Sequence, residues 1–408
     1  MAAMPSPTWR NDMANSSIDN SAWQSLGLRA DPFPLTPTPE SEFVWAGQAQ
    51  LKHELDEILK QARATDTTQF VGLVAPWGSG KTHALGYYSH HENLPGTELK
   101  AIEETRLLPV IFPKSEKQIA EGFFLRVIDK LKWKEVVRRV VEFNNTHPEE
   151  FPDLMAKLLQ DNADLIRAFD YLKDPNLPEE TSFVVQSYLF GEASKRDRNK
   201  LRFVRSGNTV EERYLSLNAF LALETKWKSA KRTRVVLWID EAENLIKLSS
   251  SNFDPFTQGL RDVLDMARKI YGCLTVIVNF TPESKNVEGE MYAILGSALY
   301  DRLDKKVTIA PMTPADAKEF IEQALNGYAI NETKKQTVFS KEAIEYLPTV
   351  LGDAVTARRV NRVCSAMLHS ILTETKPLEK FPISLAKVKD MAQAGRISAA
   401  LLADRPST

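Results

Sequence analysis

The stretch from Gln69 to Thr82 constrains this chain more than any other part of it. Residues Gln69 to Val74 (QFVGLV) are apolar and partly β-branched, the pattern of a short buried strand. They run directly into Ala75-Pro76-Trp77-Gly78-Ser79-Gly80-Lys81-Thr82, and beyond Thr82 a helical pattern resumes. Strand, glycine-rich loop and helix, in that order, form the context that a phosphate-cradling loop requires. Gly78 and Gly80, either side of Ser79, let the backbone curl around an anion without a Cβ clash. Lys81 supplies a cation for the outer phosphate oxygens and Thr82 a hydroxyl for magnesium. The N-terminus of the following helix adds its partial positive charge. Ala75 opens the loop where glycine is usual, a tolerated variation in shape.

A second constraint lies at Arg234-Val235-Val236-Leu237-Trp238-Ile239-Asp240-Glu241, where five apolar residues are bounded by charge. That pattern is a central parallel strand. In open α/β sheets ligands bind beyond the carboxyl ends of the strands, so an acidic pair there faces the ligand. Asp240 is suited to hold magnesium through water, and Glu241 to polarise an attacking water as general base.

The chain has 408 residues, room for two to three compact units. A formal charge of −2 gives no global attraction for polyanions, so nucleic-acid contact would need a local patch. Two cysteines, Cys273 and Cys364, exclude a disulfide scaffold or a cysteine-ligated zinc site and read as buried thiols. No apolar run approaches the roughly 18 residues needed to span a bilayer, and no membrane association is expected. The polar start, Met1 to Ser21, lacks the apolar core of a signal peptide, so a cytoplasmic protein is expected.

Leu26 to Pro34 reads as an extended segment with an aromatic anchor, and Phe43-Val44-Trp45 precede a helix from about Gln48 to Ala64. Leu107 to Phe112, Leu274 to Val278 and Lys306 to Ile309 are further strand candidates. Residues from about 133 to 210 are mostly helical in pattern and interrupt the strand–helix alternation. From Pro311 onward only helices are expected, the first opened by Thr313-Pro314-Ala315-Asp316.

The Gly-x-Gly-Lys-Thr loop, the strand ending Asp240-Glu241 and a later strand ending in Asn279 resemble Walker A, Walker B and sensor 1 of AAA+ ATPases. Leu26-Gly27-Leu28-Arg29-Ala30-Asp31-Pro32-Phe33 is similar to the opening of ExeA-type proteins. Gly352-Asp353 with Ala357-Arg358-Arg359-Val360-Asn361-Arg362-Val363-Cys364 resembles the sensor 2 helix of the same branch, which holds the origin-recognition, ExeA-type and TniB/TnsC ATPases. Tyr188-Leu189-Phe190-Gly191 and the Walker B strand look more loosely like ATP-binding proteins of phage-defence clusters.

The resemblance implies an α/β fold, a P-loop NTPase sheet of parallel strands flanked by helices, with a helical insertion and a C-terminal helical lid. Its expected divisions are a leader at 1–22, a base at 23–310 with the insertion at about 133–210, a lid at 311–376 and a short helical tail at 377–408. The cofactors it implies are ATP and Mg2+. Asn279 would orient the attacking water, Arg302 would reach a neighbouring subunit's γ-phosphate, and Arg358 or Arg359 would contact nucleotide from the lid. A homo-oligomer built through the ATP sites follows from that role of Arg302, and the aromatics at 43–45 fall where related proteins pack adenine.

The partner is the least constrained expectation. Lys195, Arg196, Arg198, Lys200, Arg202 and Arg205 place six cations in eleven residues with Phe203 among them. Such a run suits a phosphate backbone, with the aromatic for a base, or serves as a plain solvated face. An ATP hydrolase that switches an oligomer on DNA or a DNA-bound complex is the leading expectation, as in transposition, replication or phage defence. A nucleotide-gated protein scaffold with little turnover and an ExeA-type secretion helper are the rivals.

Overall fold

The computed structural model describes residues 20–35, 44–96, 102–112, 116–207, 209–248, 250–282, 284, 286–330, 338–352, 355–374, 377–395 and 397. Phe43 and Asp353 lie outside the described residues. In chain order the helices are α1 (Asn20–Ser25), α2 (Ala49–Ala64), α3 (Lys81–Ser89), α4 (Glu116–Leu131), α5 (Trp133–Thr146), α6 (Phe151–Leu158), α7 (Ala163–Leu172) and α8 (Glu179–Leu189). They continue as α9 (Lys195–Lys200), α10 (Val210–Glu224), α11 (Ser250–Met266), α12 (Val287–Tyr300), α13 (Pro314–Gly327), α14 (Lys341–Leu351), α15 (Ala357–Leu372) and α16 (Leu385–Gln393). The strands are β1 (Gln69–Val74), β2 (Ile102–Ile111), β3 (Arg232–Asp240), β4 (Leu274–Phe280) and β5 (Lys305–Thr308). No helix among the described residues is long and apolar enough to cross a membrane.

The chain divides into two compact units. One comprises Gln50–Trp77 and Tyr88–Ala310, and the other Met1–Ala49, Gly78–Tyr87 and Pro311–Thr408.

The first unit is built on one five-stranded sheet in the order β2-β3-β4-β1-β5, with every neighbouring pair parallel. Parallel strands are covered on both faces and read as continuous apolar runs. All seven residues of β4 are buried, and so are all residues of β3 after Arg232. β2 starts at Ile102, five residues earlier than its apolar run suggested. Its first half is half-buried or exposed except at Thr105, as suits the outermost strand of the sheet.

Between residues 133 and 200 the chain forms α5 to α9. α10 follows, and every residue from Glu212 to Glu224 is buried. α10 is covered all round, and several of its polar groups are partnered: the Ser216 hydroxyl donates to the Glu212 carbonyl at 2.9 Å and Glu224 accepts from Arg106 of β2 at 2.5 Å, whereas the buried Tyr214 hydroxyl has no partner among the described residues. Thr209 and Glu212 form a reciprocal cap at its start, and Arg213 donates to Glu121 at 3.1 Å. The helix stops at Glu224. The Thr225 amide closes the last turn on Leu221, and Lys226 and Lys228 turn the chain with positive φ.

The second unit has a mainly helical core drawn from Phe320, Ile321, Leu347, Val360, Met367, Leu368 and Ile371, with Met312 joining it from a β-bridge to Val355. Thr313 and Asp316 cap each other at the start of α13, and Ser340 caps α14. Trp23, Leu26, Leu28 and Phe33 belong to this core. The Phe33 ring meets Phe339 edge-on at 6.4 Å, and the Asn361 amide donates to the Pro34 carbonyl at 3.3 Å. The aromatic anchor expected near the N-terminus is therefore real, and it packs with helices from the far end of the chain.

Candidate functional site

β1, β4 and β3 lie side by side, so their carboxyl ends open on one edge of the sheet. Val74 pairs with Phe280, Leu73 with Asn279, and Ile239 with Val278. Asn279 and Asp240 consequently stand at adjoining strand ends. The Asn279 amide donates to Asp240 Oδ1 at 3.0 Å, and its carbonyl oxygen accepts the Trp238 indole N–H at 2.9 Å. Asn279 is fully buried and Asp240 is 3% exposed. The Trp238 ring stacks on Tyr88 with centroids 6.0 Å apart, and the Tyr88 hydroxyl donates to Asp56 at 2.7 Å.

Glu241 takes a left-handed backbone, φ 58° and ψ 39°, an uncommon state for a residue with a Cβ. Asp240 Oδ1 accepts the Glu241 N–H at 3.0 Å, which stabilises this turn, and a short 3₁₀ helix follows from Ala242 to Lys247. Asn244 of that helix donates its amide to Glu241 Oε2 at 3.3 Å. Sequence reasoning missed Asn244. Its signal was spacing: a residue three positions after Glu241 sits one 3₁₀ turn away, where i and i+3 eclipse.

The loop from β1 leaves the same edge. The Ala75 amide donates to the Phe280 carbonyl at 3.1 Å, which pins the loop's first residue to β4. With the loop joining β1 to α3, and an acidic strand end two places along a parallel sheet, the architecture is decided. The chain has the α/β P-loop NTPase fold.

In the second unit, Gly78 and Gly80 have φ of +78° and +98°, the conformations for which glycine is needed. A Cβ on Gly78 would stand 3.0 Å from the Arg358 Cβ and 3.1 Å from Thr356 Oγ1, whereas beside Gly80 there is open space. The Arg358 amide donates to the Gly78 carbonyl at 3.1 Å, and Gln48 donates to the Ser79 carbonyl at 2.8 Å. The start of α15 thus rests on the loop, and of the two arginine candidates Arg358 adjoins it. Arg359 uses its amide in the Thr356 cap. Ser79 is 4% exposed and its hydroxyl has no partner, an orphan that a bound anion would satisfy. Lys81 is 8% exposed and opens α3, with Thr82 next to it at the exposed first turn. These glycines, the orphaned hydroxyl and the buried lysine fit a polyphosphate with its magnesium ion.

His83 donates its ring N–H to the Val44 carbonyl at 3.0 Å, and burial holds its pKa below the ordinary imidazole value. Trp45 lies between His83 and Tyr87, at 6.4 and 5.2 Å between ring centroids. Trp45, in the segment before α2, is half-buried against these two rings of α3.

Arg302 is held in an unforeseen way. Its Nε and Nη2 donate to the two oxygens of Asp265 on α11 at 3.0 and 2.9 Å, and Nη1 donates to the Ala298 carbonyl. Each partner stabilises the other's charged form, so the Asp265 pKa is lowered and that of Arg302 raised.

In the basic run, Phe203 is 3% exposed and its ring stacks on Tyr188 at 3.9 Å. It is a core residue of the insertion, closed off from any base. Lys200 pairs with Glu180 at 3.0 Å, while Lys195, Arg196, Arg202 and Arg205 are exposed.

No family model matches the chain, and no curated protein matches it. Solved structures resemble it remotely. The Aeropyrum pernix Orc1 protein in complex with DNA is 11% identical with a TM-score of 0.47, over 92% of this chain and 73% of that one. A chain of the E. coli HORMA:CdnC:Trip13 complex is 12% identical with a TM-score of 0.42, over 87% and 89%. The FIGL-1 AAA domain in complex with ADP is 14% identical with a TM-score of 0.41, over 90% and 87%. Likenesses this distant assign no residue a role.

Proposed function

We propose that this chain is an AAA+ ATPase that binds and hydrolyses ATP with magnesium, and that the cycle switches an oligomer acting on DNA or a DNA-bound complex. The observation that carries the reading is the buried Asp240–Asn279 pair, with Glu241 beside it, at the strand edge from which the glycine-rich loop departs.

Each residue then has a task. Gly78, Ser79 and Gly80, after Ala75, offer backbone N–H groups to the phosphates, and Lys81 offsets the charge of the outer oxygens. Thr82 and Asp240 hold magnesium. The ion they would hold would supply positive charge to offset the charge that develops on the phosphate oxygens. Glu241 takes the proton of the attacking water as Asn279 orients that water. Glu241 in this structure is engaged by Asn244, so activation includes loss of that contact. Arg358 contacts the nucleotide from α15, and Arg302 reaches the nucleotide of a neighbouring copy.

A second reading, a nucleotide-gated scaffold with little turnover, is favoured by the way Arg302 is held: Asp265 takes the Nε–Nη2 edge of its guanidinium and the Ala298 carbonyl takes Nη1. Steady-state ATP turnover, measured with and without DNA and across protein concentration, separates the two. Turnover that rises with self-association supports the ATPase. Nucleotide binding with no turnover at any concentration supports the scaffold.

A further inference from the structure

The insertion carries an exposed aromatic beside its basic run. Phe183 on α8 is 68% exposed. Glu180, three residues earlier on that helix, pairs with Lys200 of α9 at 3.0 Å. Phe183 therefore stands one turn along the face of α8 to which the basic run is fastened.

The loop after α9 is firmly seated. Phe203 is buried against Tyr188, and the Val204 and Arg205 amides donate to Asp164 Oδ2 at 2.8 and 2.7 Å. The Arg167 guanidinium donates to the Arg202 carbonyl. Gly207, with φ +71°, lies so close to the Tyr188 carbonyl that a Cβ there would stand 2.6 Å from it. This anchoring fixes the backbone while Val204 points out at 86% exposure, flanked by the exposed Arg202 and Arg205. Of the nearby acids, Glu180 is committed to Lys200, Asp197 to the Ser194 hydroxyl at 2.6 Å and Asp164 to backbone amides, while Glu179 and Glu192 are exposed.

A rigid surface with several exposed cations and a bare aromatic ring suits a flexible polyanion whose bases are free to stack. In duplex DNA the base faces are already covered by their neighbours, so an exposed ring gains nothing from them. In a single strand each base offers a face. We propose that this face of the insertion binds single-stranded nucleic acid, with phosphates on Lys195, Arg196, Arg202 and Arg205 and one base stacked on Phe183. The inference deepens the DNA-partner reading above and rests on it.

The test is an anisotropy titration of the full chain with fluorescein-labelled oligothymidylate of roughly 20 nucleotides, beside a duplex of equal length. The single strand should bind more tightly than the duplex, with affinity falling with salt by a log–log slope of about −0.7 for each phosphate contact. Phe183→Ala should weaken single-strand binding about tenfold, the scale of one lost base–aromatic stack, with the melting temperature unchanged. Phe183→Tyr should retain binding, and Arg205→Ala should lower the salt slope by about one contact. Wild-type affinity in Phe183→Ala would overturn the proposal. Tight duplex binding with a weak single strand would also overturn it and leave the DNA reading standing. Binding to neither probe removes both.

Discussion

Asn279 and Asp240, 39 residues apart in sequence, share a 3.0 Å hydrogen bond at the carboxyl edge of the sheet, and neither is more than 3% exposed. Asn279 spends both ends of its amide, one on Asp240 and one on the Trp238 indole. Buried polar groups that lose a partner cost about 1–3 kcal/mol each. Asn279→Ala orphans the indole N–H and removes a donor from Asp240. It should lower unfolding free energy by at least about 1 kcal/mol in a denaturant titration and cut ATP turnover about 100-fold. Normal turnover in a correctly folded variant would remove Asn279 from the chemistry.

Glu241→Gln keeps the size of the side chain and the left-handed turn while abolishing its basicity. Turnover should drop about 10²- to 10⁴-fold, with nucleotide affinity within a few-fold of wild type. Lys81→Ala should instead lose nucleotide binding itself, as read by a fluorescent ATP analogue. Equal loss of binding in both variants would contradict the separate roles assigned to them.

The Asp265–Arg302 pair is about a quarter exposed on each side, so solvent screens it and its stability contribution is about 1 kcal/mol or less. Arg302→Ala should therefore leave the melting temperature nearly unchanged while lowering turnover about 10³-fold at concentrations where the wild type self-associates. Asp265→Asn, which frees the guanidinium, should retain turnover. If Arg302→Ala hydrolyses ATP normally in the assembled state, the arginine serves only as a partner for Asp265.

His83 provides a pH signature. Its imidazole titrates near 6.5 when the chain is unfolded and lower in the fold, because burial disfavours the cation. Between those two values the unfolded state binds more protons, so stability should fall as pH drops below about 6.5 and be complete above it. His83→Gln, which keeps a donor for the Val44 carbonyl, should flatten that dependence in urea titrations at about pH 5.5 and about pH 7.5. An unchanged pH slope in the variant would assign the effect to other groups.

The helix and strand positions were legible because each depends on short-range pattern. QFVGLV, the apolar run ending at Asp240 and the Thr313-Pro314 helix start all carry their signal within a few residues. Phe203 shows the limit of such reading. An aromatic within a basic run suggests a base platform, and only the stack on Tyr188, fifteen positions earlier, reveals a core residue. Phe183, the ring that is exposed, has Glu179 and Glu180 as its nearest charges, and acids give no cue to a base platform.

By itself the sequence determined the glycine-rich loop, its lysine and hydroxyl, and the acidic end of a buried strand, since φ preferences and side-chain chemistry are local properties. Tertiary structure alone decided that β4 lies between β1 and β3, so that Asn279 meets Asp240, that Arg358 adjoins Gly78, and that Arg302 is claimed by Asp265. Parallel strand order and partnerships across tens of residues arise from chain crossovers and packing, and no local pattern encodes which distant partner a buried or half-buried polar group will find.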